Sequence, residues 1–179
     1  HILLGKARYF DNRFIPALEA FNYVLYKYPN SDKIYEVKVW REKINIRLDN
    51  DQVAVDNLKR LLKDKKIEGQ DLANASAMLS QAYMNLGVKD TALTVIKIAK
   101  EKTKINDQKA RYSFILGQLY ESLTFQDSAN VVFQEIIDMK RKSPRKYTVQ
   151  AHAKLASQFD FEKGDTIVFL EKFNKLLED

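Results

Sequence analysis

The chain contains no cysteine, so it can form neither a disulfide framework nor a thiolate metal site, and its redox compartment is left open. Glycine and proline are scarce, with five and three among 179 residues. A sandwich or barrel needs many turns, and this composition suits long helices joined by short loops instead. No apolar run approaches the ~20 residues needed to cross a bilayer, and no signal-peptide core is present. The only histidines are His1 and His152. A lone histidine on a helix cannot supply a histidine-rich metal site, and nothing in the sequence points to triad partners for it. Two acidic groups, Asp49-Asp51-Asp56 and Asp160-Glu162-Asp165, lack the ligand alternation of a calcium loop and read as caps and surface charge. There is no glycine-rich phosphate loop. Asn74-Ala75-Ser76 matches a glycosylation acceptor but falls inside an expected helix. No catalytic, cofactor-binding or metal-binding residue is therefore assigned, no cofactor or small-molecule substrate is expected, and an enzyme is the least favoured class.

What the chain does have is a period. Ala17, Ala54, Ala92 and Ala129 lie 37, 38 and 37 residues apart. Four residues after each stands Phe21, Leu58, Ile96 or Phe133, and three further on Val24, Leu61, Ala99 or Ile136. A repeat of this length means stacked units, each a supersecondary element that cannot bury its own face alone. The apolar content of 45% is enough for a continuous core.

The unit reads as two antiparallel helices. In the fourth repeat Ser113, Leu116, Gly117 and Tyr120 share one helix face, a turn follows near Thr124, and then come Ala129, Phe133, Ile136 and Pro144. Small residues let the backbones approach, and the aromatics fill the space between neighbouring pairs. The third repeat carries Leu79, Ser80, Tyr83, then Ala92, Ile96 and Ala99; the first carries Leu4, Gly5, then Phe14, Ala17, Phe21, Val24 and Pro29. Ten helices are expected, at about 2–11, 14–28, 32–48, 51–64, 70–86, 89–103, 107–123, 126–141, 145–159 and 164–178. Asn12, Asp49-Asn50, Gly87 and Thr124 mark the turns within the first four pairs. Beyond Pro144 a fifth, degenerate pair shows Ala151, Leu155 and Phe159, a break at Gly164-Asp165, then Ile167, Leu170, Phe173 and Leu177.

Leu116-Gly117, Tyr120, Ala129 and Phe133, and likewise Ala17, Phe21 and Pro29, resemble the tetratricopeptide pattern over residues 3–144. The resemblance implies an all-α, right-handed solenoid. On this frame the chain is one solenoid over 1–179, with repeats at about 2–30, 32–66, 70–104, 107–143 and 145–178, and is expected to be a segment of a longer protein, since it opens within the pattern at Leu4-Gly5-Lys6-Ala7. The second repeat departs most, with Arg41, Glu42 and Asn45 where leucine, glycine and tyrosine are expected. Its apolar stripe is Val37, Trp40, Ile44 and Leu48, and a rotated first helix is the expected accommodation.

In this family the first helices line a concave face that takes a peptide or partner helix. Carried over by frame, the groove positions are Lys6, Tyr9 and Phe10 from the first repeat and Glu36, Val39, Lys43, Ile46 and Arg47 from the second. The third contributes Gln81, Met84 and Asn85, and the fourth Arg111, Phe114, Gln118 and Glu121. Polar residues with a few apolar anchors suit a protein ligand. The carboxylate clamp of chaperone adaptors is not matched, because Ile2 and Lys6 stand at its first positions.

A closer resemblance covers Arg13 to Asn22, Tyr28 to Lys33, Trp40 to Lys43 and Arg141 to Arg145. These stretches are similar to the tetratricopeptide region of the gliding-motility and type IX secretion lipoproteins. That implies a non-enzymatic scaffold joining components of a trans-envelope machine, periplasmic, with a lipid anchor outside this segment as its only tie to the membrane. A cytoplasmic peptide-binding or regulatory adaptor is the alternative.

The net charge of +6 is uneven, because residues 160–179 hold six acidic and three basic residues and leave +9 on the rest. Cations cluster at Lys63, Lys65 and Lys66, at Lys97, Lys100, Lys102 and Lys104, and at Lys140, Arg141, Lys142, Arg145 and Lys146. Each cluster follows a second-helix stripe, where cations suit the negative end of the helix dipole. The competing reading is a basic edge for an acidic partner, a lipid headgroup surface or nucleic acid. Nucleic acid is the less favoured, since the cations are not interleaved with exposed aromatics in a groove.

Overall fold

The computed structural model describes residues 1–157 together with Thr166, Ile167, Leu170 and Asn174. Among the described residues there are nine α-helices and no strand. They are α1 (Ile2–Phe10), α2 (Phe14–Lys27), α3 (Ile34–Arg47), α4 (Asp51–Leu62), α5 (Gly69–Asn85), α6 (Lys89–Lys102), α7 (Asn106–Ser122), α8 (Gln126–Asp138) and α9 (Arg145–Ala156). The chain divides into two compact units, His1–Lys104 and Ile105–Asp179. The first holds three helix pairs and the second the fourth pair with α9. The helix expected over 164–178 lies outside the described residues except for those four positions.

All four intra-pair turns close in the same way. Asn12, Asp49, Gly87 and Thr124 have φ of 57°, 59°, 76° and 64°, the left-handed region. In each, the next residue's N–H reaches back five residues: Arg13 to the Arg8 carbonyl, Asn50 to Asn45, Val88 to Tyr83 and Phe125 to Tyr120, at 2.8 to 2.9 Å. This is the six-to-one bond of a Schellman cap, which satisfies carbonyls the helix leaves without partners. In the fourth pair the accompanying apolar contact is the edge-on packing of Phe125 on Tyr120, with centroids 6.3 Å apart. Asparagine, aspartate and glycine tolerate this conformation, whereas a threonine there is strained.

The repeat alanines Ala17, Ala54, Ala92 and Ala129 are fully buried. The decisive contact lies beside them. A Cβ added to Gly5 would come within 2.7 Å of the Phe21 ring, and one added to Gly117 within 2.4 Å of Phe133. Both overlap the ring, so phenylalanine on the second helix requires glycine on the first. The partners are 16 residues apart in each case. In the other two pairs the second-helix residue is Leu58 or Ile96, and a side chain returns to the first helix as Glu42 or Ser80. Ser80 Oγ donates to the Ala92 carbonyl at 2.9 Å, spending its polar group on the facing helix.

The second pair keeps this register rather than rotating. Glu42 is 1% exposed and faces α4, accepting hydrogen bonds from Asn57 Nδ2 at 3.0 Å, Asn45 Nδ2 at 2.7 Å and Arg41 Nε at 2.6 Å. A buried carboxylate needs such donors. Arg41, Glu42 and Asn45 are thus one polar network, and the substitutions in this repeat belong together. Meanwhile α3 is apolar on two sides. Val37 and Ile44 are buried with Ala17, Phe21 and Val24 of α2, with Trp40 and Leu48 packed against them. Val39 and Ile46 are buried with residues of α4 and α5.

In the second unit α8 ends at Asp138, short of the 141 expected, because Lys140 adopts φ of 50° and the chain makes a single 3₁₀ turn, Lys140–Lys142, before α9. Phe114, Phe133 and Ile136 pack with Ala151 of α9.

Gly117→Ala is expected to lower stability by about 1–3 kcal/mol, the usual cost of overpacking. Phe133→Leu, which copies the second pair, should recover a substantial part of that loss in the double variant, read as a coupling energy from urea unfolding. Strict additivity would show that the two positions do not constrain each other.

Candidate functional site

The expected groove residues fall into distinct environments. On α1 and α3 they form one surface. Tyr9 lies at the centre, edge-on to Phe10 at 5.5 Å, Phe14 at 5.5 Å and Trp40 at 5.4 Å. Phe10 also meets Trp40 at 5.9 Å, and Trp40 stacks on the buried Phe21 at 6.0 Å. Over this aromatic row lie three cations. Lys43 Nζ is 4.3 Å from the Trp40 ring centroid, 4.7 Å from Tyr9 and 5.8 Å from Phe10. Lys6 Nζ is 5.4 Å from Trp40, and the Arg47 guanidinium 5.4 Å from Phe14. Each such contact is worth about 0.5–1 kcal/mol where exposed. Lys6 also bonds Glu36, which ties α1 to α3. Phe10 remains 72% exposed, so the row is covered incompletely.

Two of these residues were not in the expected set. Trp40 and Phe14 read as packing positions, yet both rings also form part of this surface. The available signal was Trp40 placed three residues before Lys43, with Tyr9-Phe10 at the end of the preceding first helix.

Val39, Ile46 and Phe114, expected in the groove, are core residues instead. They are 7%, 8% and 9% exposed and belong to core clusters, so they offer no side chain to a partner. For Val39 and Ile46 the reason is the two-sided burial of α3. Phe114 is held between Phe133 at 5.7 Å and Tyr147 at 5.9 Å. Asn85 is exposed, but its amide is engaged, donating to Asp51 and accepting from Gln81, both at 2.8 Å. Glu121 accepts from Lys154 at 2.7 Å, tying α7 to α9. Gln81 and Met84 are half-buried, and Arg111 and Gln118 are exposed on α7.

On α5, Asp71 has its carboxyl pushed up by burial and then by the negative charge of Glu36. Nearby, Tyr35 of α3 donates to Asp64 at 2.8 Å, across the turn that follows α4. Asp64 is held below the usual carboxylate range, first by the Lys66 N–H and then by Tyr35, while the Tyr35 hydroxyl is pushed up chiefly by this bond. The tie fastens α3 to the loop that leads into α5.

Among the described residues no group of three or more metal-ligating side chains occurs, and no helix is long and apolar enough to cross a membrane. In the glycosylation-like triplet Ser76 is fully buried within α5 and Asn74 is half-buried.

No protein-family model matches the sequence, and no curated protein matches it. Among solved structures the crystal structure of MamA shares the fold at a TM-score of 0.71, with 21% identity over 98% of this chain and 93% of its own. A tetratricopeptide repeat protein from Parabacteroides merdae gives 0.67, with 18% identity over 87% of this chain and 56% of its own. TTC0263, a thermophilic tetratricopeptide protein of Thermus thermophilus, gives 0.64, with 21% identity over 99% and 88%. The fold is an α-solenoid of the tetratricopeptide type.

Tyr35→Phe has a defined pH signature. The lowered carboxyl of Asp64 stabilises the fold above its unfolded pKa of about 4, and this is lost as pH falls through the lower folded value. The raised Tyr35 hydroxyl stabilises it below about pH 10, and this is lost as pH rises through the higher folded value. The stability gap between the parent chain and Tyr35→Phe, from urea melts, should be widest at neutral pH and narrow on both flanks. A gap that does not vary with pH would contradict the tie.

Proposed function

We propose that this chain is a non-catalytic scaffold that binds protein ligands on the first-helix surface of α1 and α3. The observation that carries this reading is the placement of Lys6, Lys43 and Arg47 over Tyr9, Phe10, Phe14 and Trp40. Aromatic residues and arginine are the side chains that dominate binding energy at protein interfaces, and here they are clustered and partly uncovered. The tetratricopeptide-type fold of the neighbours supports the same reading, since it presents a row of first helices that packing leaves available.

The reading extends to a setting. The similarity of residues 13–43 and 141–145 to the tetratricopeptide region of gliding-motility and type IX secretion lipoproteins supports a role in assembling that machinery. The chain would then be the periplasmic repeat segment of a lipid-anchored protein, with other components of the complex as its partners. A cytoplasmic adaptor of the same fold would use the same surface on a different ligand.

Recovery of partners from envelope extracts tests the surface. With Lys43→Glu and Arg47→Glu combined, at least one partner captured by the parent chain should be lost while the fold persists. Unchanged recovery of every partner would count against this face. Fractionation of the full-length protein tests the setting separately: it should sediment with the envelope, and a freely soluble cytoplasmic pool would leave only the adaptor reading.

A further inference from the structure

We infer that the second unit carries a separate docking site for an acidic, partly apolar peptide segment, in the concavity between the start of α7, the end of α8 and the first turns of α9. The site lies within one unit and does not depend on the α1/α3 surface.

The concavity has a volume of about 1340 Å³. That exceeds the roughly 300–1,000 Å³ typical of small-molecule sites and suits an extended chain segment. It is lined by the half-buried Ile137 and Met139, the exposed Val149, and five cations, Lys109, Lys140, Arg141, Lys142 and Arg145, against the two carboxylates Glu135 and Asp138. Lys109, Lys140, Arg141 and Lys142 are exposed, and none forms an ion pair among the described residues. With five cations facing two carboxylates on one depression, and four of those cations outside any ion pair among the described residues, the excess positive charge attracts an acidic ligand. The short 3₁₀ turn at residues 140–142, entered through the left-handed Lys140, places three of these cations in succession.

Charge and shape together select the occupant. A nucleic acid would need aromatic rings on which to stack bases, and no tyrosine, phenylalanine or tryptophan among the described residues lines the concavity. A lipid surface is flat and would meet the exposed cations but not the half-buried Ile137 and Met139. An acidic peptide with apolar side chains uses both: carboxylates on the lysines and arginines, aliphatic groups on Ile137 and Val149, and backbone bonds to polar groups such as Thr148.

The test uses the full 179-residue chain and a fluorescein-labelled peptide alternating glutamate and leucine. Matched controls are a glutamine–leucine peptide, a single-stranded oligothymidylate and phosphatidylglycerol vesicles. The glutamate peptide should bind, and its affinity should fall as salt rises from about 0.01 to 0.15 M, over which the screening length drops from about 30 to 8 Å. Arg141→Glu with Lys142→Glu should weaken binding by at least about tenfold, and Lys63→Glu with Lys65→Glu, an equal charge change on exposed lysines of the first unit, should leave it unchanged. Circular dichroism checks the fold, and Arg141→Gln with Lys142→Gln serves if the reversed charges disturb it. The inference is overturned if the parent chain does not bind the glutamate peptide, if the glutamine peptide binds equally, if the variants at Arg141 and Lys142 bind as tightly, or if the oligonucleotide or vesicles are preferred.

Discussion

The close packing of the second helix of a pair onto the first, through a phenylalanine on a glycine 16 residues earlier in the first and fourth pairs, is the constraint on which the structure depends. It brings the two backbones of a pair close enough for the buried alanines to sit between them. In the first and fourth pairs it also fixes the rotation of the first helix, because the glycine must face the ring. Once that rotation is set, the remaining faces of the helix have assigned fates: one against the neighbouring pair, another left over. The left-handed turns at Asn12, Asp49, Gly87 and Thr124 repeat with the same period as the alanines, so the closure of each pair and its packing are one pattern. Where the ring is absent the constraint relaxes, and the freed volume is taken by Ser80 or by the buried Glu42 network.

The same constraint shapes the α1/α3 surface. The tip of the Phe21 ring fills the space over Gly5, and Trp40 stacks on its face, which carries the core outward into the aromatic row. Tyr9 and Phe10 continue that row to the surface, where Lys43 and Arg47 lie across it. The proposed binding face is thus the outer edge of the core. Its rings are held by packing on one side, which reduces the ordering cost of binding a ligand on the other.

How much of this the sequence carried differs from residue to residue. The alanine period, the two-helix unit, the turn residues and most helix ends were readable, because each depends on a local rule of spacing or backbone geometry. The end of α8 was not, since Lys140 gives no local sign of its left-handed backbone. Val39, Ile46 and Phe114 were assigned to the groove by frame, but burial depends on what the neighbouring helix presents. For Val39 and Ile46 the neighbours are α4 and α5, and for Phe114 they are the rings of Phe133 and Tyr147. Glu42 was visible as an anomaly, but its partner Asn57 is on the facing helix, and only the fold brings the two together.

On the proposed reading, α1 and α3 present the face on which this chain meets a protein partner. A photo-crosslinking amino acid placed at Phe10 in the native cell reads this directly, with Val53 on α4, 51% exposed, as the control in the same unit. A discrete protein adduct is expected from position 10 and none of comparable yield from position 53. Equal adducts from both positions, or none from position 10, would contradict the claim.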